Sequence, residues 1–397
     1  MFAAISPRRL LAVGFLAFIV LGLTQGVIGV AWPTMRVDFG RPLPDLGTLL
    51  VFSVGGYFLA GLAAGSLNRK YGTGLLLTGT MSIGTLSLAL YAIAGSWPIL
   101  LLASIGVGFS GGLLDSVVNA YVAVHHGTRT MNLLHASFGI GATTGPLLVA
   151  SALARGLTWR SAYVVLAVAE LLLVVTVFAI RHRWPEDSRQ EPQKEHGQVG
   201  GPLVLGLVGL FFLHVGIEST AGQWSYSLLT ESREVGEFAA GIWVASYWGG
   251  LMGGRLLLGV IGNRVGSRLV LGLSMAGTAV GAAILWWDPV GLGVIALPTI
   301  GFSLAGLFPV LVALTPSWVG DKRSAAVIGY QVAGASAGSA VLPWGVSRLI
   351  DAKDLEVLGP FLLAAALLMP VLYVYVEKHA NTKPKVKESG STRTLPS

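Results

Sequence analysis

The chain has 397 residues, of which 53% are hydrophobic and only 11% charged, against about 25% charged in a soluble domain, so water is excluded as the solvent for most of its surface. Its net charge of +7 is spread over loops rather than gathered in a groove-like patch, which argues against a nucleic-acid partner. The absence of cysteine excludes disulfides, thiolate chemistry and Cys-ligated metal.

A helix needs about 20 mostly apolar residues to cross a bilayer. On that criterion spans are predicted at 10–32, 46–67, 74–94, 99–122, 133–154 and 159–180, then at 203–228, 237–261, 268–286, 292–314, 325–349 and 358–376. The first run is longer than the roughly 7 to 15 apolar residues of a signal-peptide core and reads as an uncleaved span. The expected organisation is a six-helix bundle over 1–180, a charged cytoplasmic linker over 181–200, a second six-helix bundle over 201–376 and a lysine-rich tail over 377–397 expected to be disordered. Trp32, Trp97, Trp159, Trp286 and Trp287 stand at predicted span ends, where indoles anchor at the membrane interface.

Positive residues are retained on the cytoplasmic side. With both termini inside, 18 of the 26 Lys and Arg fall in inner segments, six in outer loops, and the remaining two, Arg255 and Arg348, within or at the edge of spans. Both termini are therefore expected to be cytoplasmic, in a multi-pass protein of a cytoplasmic (inner) membrane.

Fragments recur between the halves: Gly108-Phe-Ser with Gly301-Phe-Ser, Gly72 with Gly266, and Pro146 with Pro343, at offsets of 193 to 197. A near-constant offset across three helix regions predicts two parallel repeats, an architecture that rocks two bundles about a midplane site. No Lys follows a Gly, so there is no Walker A loop and no sign of ATP-driven pumping.

An ionisable group within a span costs roughly 2.5 to 3.5 kcal/mol on insertion scales, so each one invites a functional reading. Asp115 lies in the fourth span with Asn119 one turn on, on the same face. A carboxyl group in an apolar cavity can take a proton and release it when solute or water arrives, as coupling requires; the competing reading is a fixed inter-helix hydrogen bond. In the seventh span His214 and Glu218 are an i,i+4 pair, followed by Gln223 and Trp224. Such a set can bind a polyol, with carboxylate and amide on hydroxyls and an aromatic face on the C–H side of a sugar ring, although a self-neutralising His-Glu pair would look the same. His135, Gln331 and Gln25 are further candidate cavity residues, the first two ahead of glycine- and proline-bearing stretches that permit close packing and bending. Glu170, Trp243, Tyr247 and Trp248 are weaker candidates. Asn68 and Arg69 in one cytoplasmic turn, and Arg255, Asn263, Arg264 and Arg268 at the matching turn of the second half, are candidate gating residues.

The turn running from Gly259 through Asn263, Arg264 and Gly266 to Arg268 resembles the cytoplasmic signature of the major facilitator superfamily. The segments around Asp115 and Asn119, around Asn132 and His135, around Gly216, Glu218 and Trp224, and around Gln331 and Pro343 resemble the branch containing fucose:proton symporters and sodium-dependent glucose transporters. The resemblance implies an all-α membrane fold of 12 transmembrane helices in two pseudo-symmetric six-helix bundles, and places Asp115 where that branch keeps a fourth-helix acid involved in sugar recognition and coupling. Two departures stand out. No acid precedes Pro33 in the first span, where fucose symporters keep their proton site, so proton coupling would fall to Asp115 or Glu218; and Asn263 replaces the signature's acidic residue.

The expected function is secondary active transport of a sugar or similar polyhydroxylated solute by alternating access, as proton-coupled symport. No cofactor is expected beyond a proton or sodium gradient, no enzymatic chemistry, and no partner beyond the solute and the bilayer around a monomer. A proton-driven exporter of drugs or lipids and a non-transporting solute receptor are the alternatives.

Overall fold

The computed structural model describes residues 7–185, 201–261, 264–288 and 293–381. Among them it is 91% helical, without strands, and holds 12 helical spans long and apolar enough to cross a membrane. Six belong to the first half: α1 (Pro7–Asp38), α2 (Asp45–Tyr71), α3 (Thr73–Ile93), α4 (Trp97–His125), α5 (Thr128–Ala154) and α6 (Trp159–Ile180). The second half has α7 (Pro202–Ser227), α8 (Glu237–Ile261), α9 (Ser267–Trp287), α10 (Gly293–Leu304), α11 (Leu307–Val319), α12 (Asp321–Ala352) and α13 (Leu358–Asn381). Most of the expected 181–200 linker and 377–397 tail lies outside the described residues, but residues 377–381 continue α13 as helix.

The tenth span is two helices. Pro309 has no N–H to give the carbonyl of residue 305 and its ring crowds that carbonyl. The chain turns at Ala305 and Gly306, and α11 restarts with Val310 donating to the Gly306 carbonyl at 3.2 Å. The seventh span keeps its helical course past α7 as one π-helical turn, Leu228–Ser232.

The two halves use the same pairings. In the first, α1 packs on α5, α2 on α4 and α3 on α6; in the second, α7 packs on α12, α8 on α10 and α9 on α13. Hydrophobicity does not drive helices together in lipid, so close backbone approach must do so. Gly141 of α5 lies so near the Ile19 carbonyl of α1 that a methyl group would overlap it, and Gly338 of α12 meets the Phe212 carbonyl of α7 in the same way. These two glycines are separated by the offset that relates Pro146 to Pro343.

With an even number of spans, both chain ends of the bundle emerge on one face, called here the terminal face. Contacts between the halves run from mid-span toward the opposite face. Gly47 of α2 fits against Trp344 and Ser347 of α12, Gly29 of α1 against Gln223 of α7, and Gly241, Gly249 and Met252 of α8 follow Ala150, Thr143 and Gly139 of α5. At the outer rim Arg36 grips Glu231 of the π-helical turn with Nε and Nη2, at 3.3 and 2.8 Å. It is the one ion pair between the halves among the described residues.

Two tryptophans expected at the membrane interface are interior instead: Trp32 is 0% and Trp159 1% exposed. Their indole N–H groups donate to the Leu43 carbonyl and to Asp38, so each ties a span end to its neighbour. Trp286 and Trp287 are exposed, as an interfacial anchor requires.

Candidate solute site

Two polar clusters stand within the spans, one in each half. In the first, Asp115 projects from α4 toward α2, whose Tyr57 hydroxyl donates to Oδ2 at 2.8 Å, while the Asn119 amide donates to Oδ1 at 2.9 Å. The α2–α4 crossing that brings Tyr57 to the acid is close because Gly112 leaves room for the backbone at Tyr57 and for Ala60. Both carboxylate oxygens of Asp115 are thus satisfied within its own half. Tyr57 carries no charge and sits in an apolar run, so its pairing with a residue 58 positions away has no local signature.

The second cluster is different in kind. His214 is 1% exposed, and neither of its ring nitrogens has a hydrogen-bond partner among the described residues. Its Nε2 lies 3.8 Å from Glu218 Oε2, and Arg255 Nη2 of α8 stands 3.6 Å from the same oxygen. Both distances exceed a hydrogen bond, and Glu218 Oε2 is itself without a partner. Neighbouring helices brace the cluster: Tyr247 of α8 donates to the Glu218 carbonyl at 2.8 Å, and Phe308 of α11 stands near the His214 ring, 6.3 Å between ring centroids. A buried polar atom without a partner costs about 1–3 kcal/mol. Several such atoms together, on a firm backing, form a place where a polar ligand would find donors and acceptors ready.

The other predicted residues are distributed as follows. His135 of α5 is half-buried, with Phe18 of α1 edge-on to its ring. Gln25 of α1 is exposed, and its carbonyl accepts from Gln223 Nε2 at 3.2 Å. Gln223 and Trp224 are 1% and 0% exposed; Trp224 donates to the Pro343 carbonyl of α12 at 3.2 Å. In this conformation Gln223 therefore joins the halves and Trp224 joins α7 to α12. Gln331 is buried against Thr315 of α11, to which its amide donates at 2.9 Å. Glu170, buried in α6, faces Gly84 of α3 and Ser110 of α4, inside the first half.

Of the residues considered for gating, Asn68 caps the α2–α3 turn: its carbonyl takes the Gly72 N–H at 2.9 Å and its side chain the Thr73 hydroxyl at 3.2 Å. Gly72 has a φ of 73°, which glycine adopts without strain. Arg69 precedes that turn, and Arg264 is exposed between α8 and α9. Arg268 pairs with Glu377 of α13 at 3.2 Å, within the second half. Asn263 lies outside the described residues. Arg255, nearly two turns from the end of α8, approaches Glu218.

Two pockets, of about 330 and 570 Å³, open on the opposite face around Glu231, away from both clusters. They are clefts left between the closed outer ends of the halves.

A family model described as Major Facilitator Superfamily matches residues 14–224 and again 206–396, once for each half. The chain belongs to the major facilitator superfamily. Among similar proteins, Glucose/mannose transporter GlcP of Bacillus subtilis is 21% identical, the match covering 96% of this chain and 98% of the relative. Sodium-dependent glucose transporter 1 of Homo sapiens is 25% identical over 90% of this chain and 77% of the relative. Among solved structures, a bacterial homologue of the human lysosomal transporter Spinster, inward-facing and occupied, has a TM-score of 0.75 at 13% identity and covers 95% of this chain and 97% of its own. The transporter FucP in its outward conformation has a TM-score of 0.62 at 15% identity over 93% and 98% of the two chains. The superfamily fold expected from the sequence is the fold observed.

Proposed function

We propose that this superfamily member is a secondary active transporter of a neutral sugar or similar polyhydroxylated solute, working by alternating access. The observation that carries the reading is the His214, Glu218 and Arg255 cluster at mid-span: His214 ring nitrogens and a Glu218 oxygen that are buried without hydrogen-bond partners, beside a partly exposed guanidinium. A sugar offers hydroxyls that both donate and accept, and so can meet a carboxylate, a guanidinium and an imidazole at once. The names of similar proteins, which include glucose and mannose transporters, support the same solute class.

Glu218 is the proton-handling acid of this mechanism, and Asp115 frames the wall of the first half. The driving gradient is protons, with sodium as the alternative ion; no bound cofactor takes part. The excess of Lys and Arg on the terminal face supports a cytoplasmic position for both termini, and in this reading the protein works as a monomer in a cytoplasmic membrane. Closure from mid-span to the opposite face then corresponds to an inward-facing state.

The test is uptake of labelled monosaccharides into proteoliposomes under an imposed proton or sodium gradient, with wild type beside Glu218→Gln and Asp115→Asn. Gradient-stimulated uptake of a sugar that is lost in Glu218→Gln is the expected result. Absence of uptake of any sugar under either gradient, with folded protein in the vesicles, removes the proposal.

A further inference from the structure

The cytoplasmic turn after α8 carries a run of basic residues, and by position Arg255 belongs with them. Its geometry says otherwise. Gly139 of α5 and Met252 of α8 touch across the seam between the halves. The two helices run in opposite directions, so one turn toward the terminal face leads from Gly139 to His135 on one side and from Met252 to Arg255 on the other. Arg255 and His135 therefore stand at one level on the two walls. Above them Arg255 approaches Glu218 at 3.6 Å. Among the described residues no hydrogen bond engages its guanidinium, and its side chain is 29% exposed.

A gating arginine holds a partner on the other half, or a helix end at the membrane surface. Arg255 does neither. It holds five N–H donors between an acid and two histidines, beside the fully buried His214 whose nitrogens are also unpartnered. We propose that Arg255 is a solute-binding residue of the central site, donating to hydroxyl oxygens of a neutral sugar between Glu218 and His135. The assignment rests on the sugar reading above and extends it: the donors come from α8, and the site spans both halves. While ionised, Glu218 balances the arginine's charge, and Asp115 has no cation beside it among the described residues. The site is therefore matched to neutral hydroxyls, and a carboxylated sugar would add a negative charge it does not accommodate.

The test is gradient-free exchange of labelled D-glucose, D-mannose, D-galactose and L-fucose across sealed proteoliposomes, since exchange requires binding and reorientation but no coupling. Full-length wild type is compared with Arg255→Gln, Arg255→Lys and, as a control on the terminal face, Lys378→Gln. For any sugar exchanged by the wild type, Arg255→Gln is expected to raise the half-saturation concentration about 10- to 100-fold, the range given by one or two lost charge-assisted hydrogen bonds. Arg255→Lys keeps the charge but loses the planar fork, and falls between. Lys378→Gln matches the wild type. If Arg255→Gln does not fold, the lysine variant decides the matter by the same constant. A half-saturation concentration unchanged in both variants, with only the maximal rate altered, returns Arg255 to the gate and overturns the proposal. Failure of the wild type to exchange any of the four sugars removes the sugar reading itself, a result distinct from an unaltered arginine variant.

Discussion

Asp115 in the first half and Glu218 in the second are both acids within spans, and the two are treated in opposite ways. Asp115 has a donor on each oxygen, both from its own half, and so resembles a structural element that fixes α4 against α2. Glu218 has a histidine and an arginine close by, yet neither is in hydrogen-bond contact, and its Oε2 is without a partner. A satisfied acid gains little from a passing proton or hydroxyl, because it must first give up what it has. An unsatisfied one gains a partner from either. The difference separates an acid that shapes the cavity from one that works in it, although both look alike as ionisable residues in apolar spans.

The sharpest way to break this comparison is to neutralise both acids in turn. Glu218→Gln is expected to lower gradient-driven accumulation at least about tenfold, equivalent to about 1.4 kcal/mol, while gradient-free exchange of the same sugar persists. Asp115→Asn is expected to keep accumulation within a few-fold of wild type, since the asparagine can still accept from Tyr57. If the losses are reversed, the working acid is in the first half.

Next in size is an effect on packing common to both halves. Gly338→Ala and Gly141→Ala each press a methyl group into a backbone carbonyl of the facing helix. Overpacking of this kind costs about 1–3 kcal/mol, and each should lower the thermal midpoint of the purified protein in detergent. If only one of them does, the two crossings are equivalent in geometry but not in load.

Tyr57→Phe removes the donor that holds Asp115 and leaves the rest of the cluster in place. Intramembrane hydrogen bonds average about 0.6 kcal/mol and reach about 1.7. The expected loss of stability is of that size, with the half-saturation concentration for sugar unchanged. A raised half-saturation concentration would instead put Tyr57 and Asp115 in contact with solute.

Much of the fold was legible because length, apolarity and the repeat offset are local or periodic signals. Span ends were less so. α1 runs on to Asp38 although Pro33 invited a stop, since residue i−4 of a proline in a long helix can be satisfied by its surroundings. The split of the tenth span at Gly306 was missed because Pro309 reads as one apolar residue among many. The nearness of His214 to Glu218 was legible from their spacing, whereas Tyr57 beside Asp115 and Arg255 beside Glu218 depend on which helices cross. Trp224 and Gln223 were expected to meet solute, and the structure packs them against Pro343 and Gln25, a distinction of helix face that spacing alone does not make. One signal was available and unused. α1 and α7 are equivalent helices that meet at the pseudo-symmetry axis, so residues one repeat apart face each other there: Arg36 and Glu231 are 195 positions apart, and Gln25 and Gln223 198.

That pair at the rim supplies the smallest effect. Arg36 and Glu231 are 26% and 24% exposed and bridge the halves only while the opposite face is closed. An exposed ion pair contributes about 0.2–1 kcal/mol, so Arg36→Gln should shift the balance toward the outward-open form by about 1.5- to 5-fold. The chain lacks cysteine, which makes the measurement direct. Thr34→Cys lines the cleft beside Glu231, and its rate of reaction with a membrane-impermeant maleimide reports opening of that face. The rate should rise with Arg36→Gln and return when charge is restored by Arg36→Lys, which can still reach the glutamate. An unchanged rate would mean that the closure of α2 on α12 and of α5 on α8 holds the opposite face shut by itself.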